Sequence, residues 1–181
     1  MPRRIRVVGI SGGTAGLGGP ALEAVRSAGL VLGAPRHLEA VASLGDRVEG
    51  QRVAPLPSPL EALLEEVAGE PGPVCVLASG DPGFFGVVRP LAERFGPDAL
   101  EVHPGPASVS LAFARLGLPW DDAQVVSAHG RPPGEAAAAA ARADKAAVLT
   151  SPECPPEALA RRLVELGAGG RRAAVCSRLG L

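Results

Sequence analysis

Short apolar runs recur along the chain at Ile5 to Ile10, Leu30 to Leu32, Val74 to Ala78, Leu100 to Val102, Gln124 to Ser127, Ala146 to Thr150 and Ala173 to Cys176. Runs of this length, bounded by glycine, proline or charged residues, predict buried strands. The stretches between them place apolar residues three and four apart, which predicts helices over Pro20 to Ala28, Pro35 to Ser43, Pro59 to Ala68, Val87 to Phe95, Ala107 to Leu116, Gly134 to Ala143 and Pro155 to Leu166. Several of these open on proline or serine, residues suited to helix starts. Strands alternating with helices build βαβ units on a largely parallel sheet, so the expected class is α/β.

The segment Gly117-Leu118-Pro119-Trp120-Asp121-Asp122 interrupts this alternation and is the expected interdomain linker, giving domains over 1–118 and 121–181. The second piece, of about 60 residues, is small for an independent core. Its last strand candidate is followed only by Ser177 to Leu181, so the second α/β domain is expected to be incomplete.

The candidate chemistry sits where strands end. Val74 to Ala78 runs into Ser79-Gly80-Asp81-Pro82-Gly83-Phe84-Phe85-Gly86, where the glycines allow close backbone approach to a ligand and Pro82 stiffens the turn. Asp81 suits either a capping or turn role, or acceptance of ribose hydroxyls and stabilisation of a cationic ligand. Phe84 and Phe85 suit the core or a purine ring. The first strand feeds Gly9-Ile10-Ser11-Gly12-Gly13-Thr14-Ala15-Gly16, a glycine-rich turn open to a nucleotide-like ligand or to none. Dinucleotide spacing can be met only on Gly16, Gly18 and Ala21, and the next strand ends in Gly33-Ala34 with no acid for a ribose, which disfavours a nicotinamide cofactor.

Two further junctions repeat the theme. Pro104-Gly105-Pro106-Ala107-Ser108-Val109-Ser110 offers hydroxyls at a helix start, for N-capping by Ser108 or for a ligand. In Ser127-Ala128-His129-Gly130-Arg131, His129 is either a structural residue or, with Arg131 and the pair Arg36-His37, part of a cationic rim for carboxylates.

Composition narrows the partners. A net charge of -1 supplies no global positive field, so no nucleic-acid partner is expected. No apolar run is long enough for a membrane span, and Ile5 to Ile10 is too short for a signal-peptide core. Cys75, Cys154 and Cys176 lack zinc-site spacing, which leaves no expected metal site and indicates reduced, cytoplasmic thiols.

The segments Leu77 to Gly86, Pro104 to Ala114, Val126 to Pro132 and Pro55 to Leu60, in this order, resemble the tetrapyrrole (corrin/porphyrin) methylase family. The resemblance covers essentially the whole chain. It implies two α/β domains with S-adenosylmethionine in the cleft between them, a tetrapyrrole substrate and C-methylation by in-line displacement at the sulfonium methyl. Carried over residue by residue, it implies a cofactor pocket lined by the turn from Gly9 to Gly12, by Asp81, Phe84, Ser108, Val109 and Thr150. Ser11 stands where the family usually has glycine and Ala107 where it usually has serine. Positioning supplies most of such catalysis, so neither metal nor nucleophilic side chain is required. His129 is the candidate base for proton loss, and Arg36, His129 and Arg131 are the candidates for holding peripheral carboxylates. A homodimer is implied, as is a partner subunit for C15 methylation and decarboxylation. The alternative is a non-catalytic S-adenosylmethionine-binding scaffold that depends on such a partner for chemistry.

Overall fold

The computed structural model describes residues 4–11, 17–43, 50–129 and 133–179; Gly12 and Arg131 lie outside the described residues. The chain divides into two compact units, Met1–Ser108 with Arg178–Leu181, and Val109–Ser177.

In the first unit β1 (Ile5–Ile10), α1 (Gly19–Arg26), β2 (Leu30–Gly33), α2 (Pro35–Ala42), β3 (Arg52–Pro55), α3 (Leu60–Gly69), β4 (Val74–Ser79), α4 (Val88–Phe95), a 3-10 turn (Pro97–Ala99) and β5 (Leu100–His103) follow one another. The strands form one sheet in the order β3-β2-β4-β1-β5, and every pairing is parallel. The α/β expectation holds.

Period-two alternation sorts the strand residues onto two faces. Ile5 and Val7, Leu30 and Leu32, and Val74 and Val76 meet Leu63 and Val67 of α3 and Leu91 of α4. Val8 and Ile10, Val31, and Cys75 and Leu77 meet Ala24 and Val25 of α1, with Leu38 and Val41 of α2 packed alongside. Full burial of each large apolar side chain here is worth about 1.5–3 kcal/mol of transfer free energy. Because Cys75 lies wholly inside, burial pushes its thiol up to about 12 against a smaller opposing influence of Arg6, and it stays protonated.

Adjacent strands β1 and β4 therefore send their helices to opposite faces of the sheet. That reversal is the switch point at which open α/β sheets leave a crevice outside the strands' carboxyl ends.

Strand β3 is absent from the expected set. It is a four-residue edge strand that closes on Pro55, and edge positions tolerate proline because no outer ladder needs its missing N–H. Ion pairs help hold it: Arg52 Nη2 reaches Glu66 Oε1 of α3 at 2.9 Å and Oε2 of Glu70, just past its end, at 3.0 Å. Neither device leaves a period in hydrophobicity.

The second unit contains nearly all of α5 (Ser108–Leu116), followed by β6 (Gln124–Ser127), α6 (Pro133–Arg142), β7 (Ala146–Leu149) and α7 (Pro156–Glu165). The two strands pair in parallel from Gln124 opposite Ala146 to Ser127 opposite Leu149. Their core is built of small residues, Ala128, Ala136 and Cys154, with Val126 and Val148 against it. After α5, Gly117 adopts φ 65°, a left-handed stop that favours glycine, and Leu118 N–H closes on the Phe113 carbonyl at 3.1 Å. Trp120 stacks on Phe113 with centroids 6.4 Å apart, and Lys145 Nζ bonds the Pro119 carbonyl at 3.0 Å and Asp122 Oδ1 at 2.6 Å. The segment Gly117 to Asp122 is thereby fastened to the second unit.

The strand expected over Ala173 to Cys176 does not form. Arg171 ties the preceding chain to the Ala140 and Ala143 carbonyls around the end of α6, and the run that follows pairs with no strand among the described residues. Val175 is 73% exposed, so its apolar character is not a sign of burial here. No helix among the described residues is long and apolar enough to cross a membrane.

Candidate functional site

At the carboxyl edge of the first sheet, the loops after β4 and β5 meet across the end of β1. Gly80 N–H donates to the Ile10 carbonyl at 2.8 Å, and Gly105 N–H donates to the Gly80 carbonyl at 3.1 Å. Gly9 lies beneath this closure: a Cβ there would fall 1.9 Å from Gly80 O and 2.4 Å from Gly105 N. Gly80 itself has φ 64°, where a side chain is strained. Ser11 donates its hydroxyl to the Pro106 carbonyl at 2.8 Å. That bond fastens the first loop to the third.

Asp81 Oδ1 accepts the Gly83 N–H at 2.8 Å, and Phe84 N–H returns to the Asp81 carbonyl at 3.1 Å. Of its alternative structural roles, the carboxylate therefore takes the one in the turn, while α4 has no side-chain cap. Its other oxygen remains available to a ligand's donor. Phe84 and Phe85 contact edge to face, centroids 4.9 Å apart at 77°. Phe85 is 45% exposed and has φ 54°, a conformation that a bulky residue rarely adopts. Strain of this kind clusters at ligand sites.

Gly9, Asp81, Phe84 and Ser108 are thus brought to one edge of one sheet. Helix α5 begins at Ser108, so the hydroxyl sits on its first helical residue and not at the N-cap position; Val109 beside it is buried. Arg36 joins the same edge through the end of β4, where its Nη2 donates to Ser79 Oγ at 2.6 Å.

His37 completes that contact. It is the one fully buried residue of α2, and its Nε2 lies 3.2 Å from Ser79 Oγ and accepts Arg36 Nε–H at 3.3 Å. The sequence signal for it was slight: His37 stands four residues before Val41, on the stripe that faces the core. Burial, and then the Arg36 charge, hold the imidazole below its ordinary pKa; the Leu77 backbone opposes this only in part, and Nδ1 makes no hydrogen bond of ordinary geometry.

A histidine that stays neutral in the folded chain takes up its proton more readily once unfolded. Its contribution to stability is complete above about pH 6.5 and declines as pH falls from there toward the lowered folded value. Thermal melts between pH 8 and pH 5 are therefore expected to fall less steeply for His37→Gln than for the wild type. Parallel slopes would contradict this assignment.

The carboxyl edge of the second unit's sheet presents its own group. His129 N–H donates to Ser127 Oγ at 3.2 Å and the residue is exposed, and Thr150 follows β7 directly and is exposed. Sequence reasoning did not single out the adjoining turn, in which Cys154 N–H bonds the Ser151 carbonyl at 3.0 Å and Ser151 Oγ at 3.3 Å. The Ser151 hydroxyl, followed by Glu153's own backbone and a smaller influence of His129, holds the exposed Glu153 carboxyl below its ordinary range. No group of three or more metal-ligating side chains occurs among the described residues.

A doubly wound parallel sheet whose central strand ends are closed by glycines, with a carboxylate and aromatics in the loop after β4 and an arginine at the start of α2, defines an α/β protein with candidate ligand chemistry at one sheet edge. The profile of the Tetrapyrrole (Corrin/Porphyrin) Methylases matches residues 5–181, and the chain belongs to that family. It is 42% identical over 178 residues to the decarboxylating precorrin-6Y C(5,15)-methyltransferase of Sinorhizobium sp, covering 97% of this chain and 42% of that protein. Against the cobalt-precorrin-7 C(5)-methyltransferase of Salmonella typhimurium it is 35% identical over 152 residues, covering 83% of this chain and 72% of the relative. The crystal structure of the precorrin-6Y methylase from Archaeoglobus fulgidus superposes with a TM-score of 0.66 at 24% identity, covering 86% of this chain and 78% of that one, and shows a shared fold. The chain spans less than half the length of the Sinorhizobium relative.

Proposed function

We propose that this chain is the S-adenosylmethionine-dependent C-methyltransferase part of a precorrin-modifying enzyme of cobalamin biosynthesis, acting at C5 of precorrin-6Y or cobalt-precorrin-7. The observation that carries this is the closure of three strand ends on Gly9, Gly80 and Gly105, beside an Asp81 carboxylate with one oxygen uncommitted. Identity of 42% to a C(5,15)-methyltransferase supports the choice of reaction and substrate.

Bound S-adenosylmethionine supplies an electrophilic methyl group. The residues of the first edge fit such a cofactor: Asp81 offers an acceptor to hydroxyl donors, and Phe84 offers an aromatic ring beside it. Gly9, Gly12, Asp81, Phe84, Ser108, Val109 and Thr150 are assigned to the cofactor. Arg36, His129 and Arg131 are assigned to peripheral carboxylates of the tetrapyrrole, with His129 also accepting the proton that leaves the methylated carbon. A homodimeric state, a cytoplasmic location and a partner supplying C15 methylation and decarboxylation complete the proposal. Support for that partner comes from the added length of the decarboxylating relative.

The test is incubation of the full chain with S-adenosylmethionine and the precorrin substrate, read by mass spectrometry. Addition of one methyl group with matching formation of S-adenosylhomocysteine is expected. Cofactor binding without turnover would replace the proposal with the non-catalytic scaffold.

A further inference from the structure

We infer that His37 and Ser79 are positioning residues that fix the Arg36 guanidinium at the end of β4, ready to receive a carboxylate of the substrate. The inference rests on the reading of Arg36 as a substrate contact. Arg36 is exposed, and no carboxylate pairs with it among the described residues. Yet it is not loose: Nη2 donates to Ser79 Oγ at 2.6 Å and Nε donates to His37 Nε2 at 3.3 Å, while Ser79 Oγ lies 3.2 Å from the same imidazole nitrogen.

Both partners of the arginine are uncharged, and this is the point of the arrangement. A glutamate or aspartate in their place would neutralise the guanidinium, whereas a hydroxyl and an imidazole lone pair orient it and leave its charge for a ligand. Holding a long side chain in advance removes the ordering cost otherwise paid on binding. Burial of His37 under α2 locks the ring that does the holding, and Ser79 sits immediately before Gly80 and Asp81, which registers the arginine to the cofactor loop.

The test uses the full chain, uroporphyrin as a carboxylate-bearing tetrapyrrole probe read by fluorescence, and S-adenosylhomocysteine affinity as the internal control. Arg36→Ala is expected to weaken uroporphyrin binding by about ten- to a hundredfold, the range of one charged hydrogen-bonding contact. His37→Leu and Ser79→Ala are expected to weaken it by about three- to tenfold, to leave S-adenosylhomocysteine affinity unchanged, and to have no further effect once Arg36 is alanine. His37→Gln, which keeps an acceptor, is expected to restore most of the loss. Ser79→Ala alters an exposed side chain and keeps the test decisive if His37→Leu fails to fold. Loss for Arg36→Ala with none for Ser79→Ala and His37→Leu overturns the positioning role alone. A folded wild-type chain that does not bind uroporphyrin, or an Arg36→Ala chain that binds it normally, overturns the reading of Arg36 and the inference with it.

Discussion

Gly9→Ala is expected to destabilise the first unit by about 3 kcal/mol or more, at or above the usual range for overpacking, because the atoms met by the new methyl are backbone and have no rotamer into which to retreat. At 1.9 Å from Gly80 O and 2.4 Å from Gly105 N, the Cβ forces the β4 and β5 loops apart. The bond from Gly105 N–H to Gly80 O, at 3.1 Å, is the first to break. For a chain of this size, a loss of about 3 kcal/mol corresponds to a fall in melting temperature of about 6–12 °C. Gly19→Ala is the control: a Cβ there meets nothing within 4 Å and lies at the start of α1, so the melting temperature should hold or rise slightly. Calorimetric or circular-dichroism melts of both variants measure this. Equal melting temperatures would mean that the three strand ends are not closed as described.

Asp81→Ala is expected to lower affinity for S-adenosylhomocysteine by about ten- to a hundredfold, the equivalent of one hydrogen bond to a charged group. Two effects combine in it. The carboxylate is lost to the ligand, and the turn loses the 2.8 Å bond from Gly83 N–H that shapes the loop before Phe84. Asp81→Asn separates them, since the amide oxygen still accepts from Gly83 while the charge is gone. If the charge matters, asparagine binds weakly like alanine; if the turn matters, asparagine binds like the wild type. Titration calorimetry on the three chains reads both, and unaltered affinity for Asp81→Ala would remove the residue from the site.

What was legible in the sequence followed local rules. The near-continuous apolar runs in Ile5 to Ile10 and Val74 to Ala78 reflect a sheet covered on both faces, and prolines at the first turns of α1, α2 and α7 mark starts that the structure repeats. The loop at Gly80 to Gly86 was legible as a strand-to-helix junction, because the buried strand before it stops on glycine and acid. The need for glycine at position 9 was not legible. It arises because Gly80 and Gly105, distant in sequence, are brought beside Gly9 by crossovers that no local pattern encodes. Strand β3 escaped notice because Arg52, bonded to α3 through its charge, and Pro55 at a sheet edge both argue against a strand when read locally. Ala173 to Cys176 misled in the opposite direction, since apolar residues predict burial only where a partner strand exists. His37 was visible as half of a basic pair, but its bond to Ser79 joins α2 to β4 and needed the fold.

Hydrogen exchange on the full chain, with and without saturating S-adenosylhomocysteine, tests the central claim most directly. The account predicts slowed exchange across Gly80 to Gly86 and at Gly105 to Ser108, the segments whose Gly80 and Gly105 amides close the edge beside Gly9. Protection confined to other segments, or a folded chain whose exchange the ligand leaves unchanged, would contradict it.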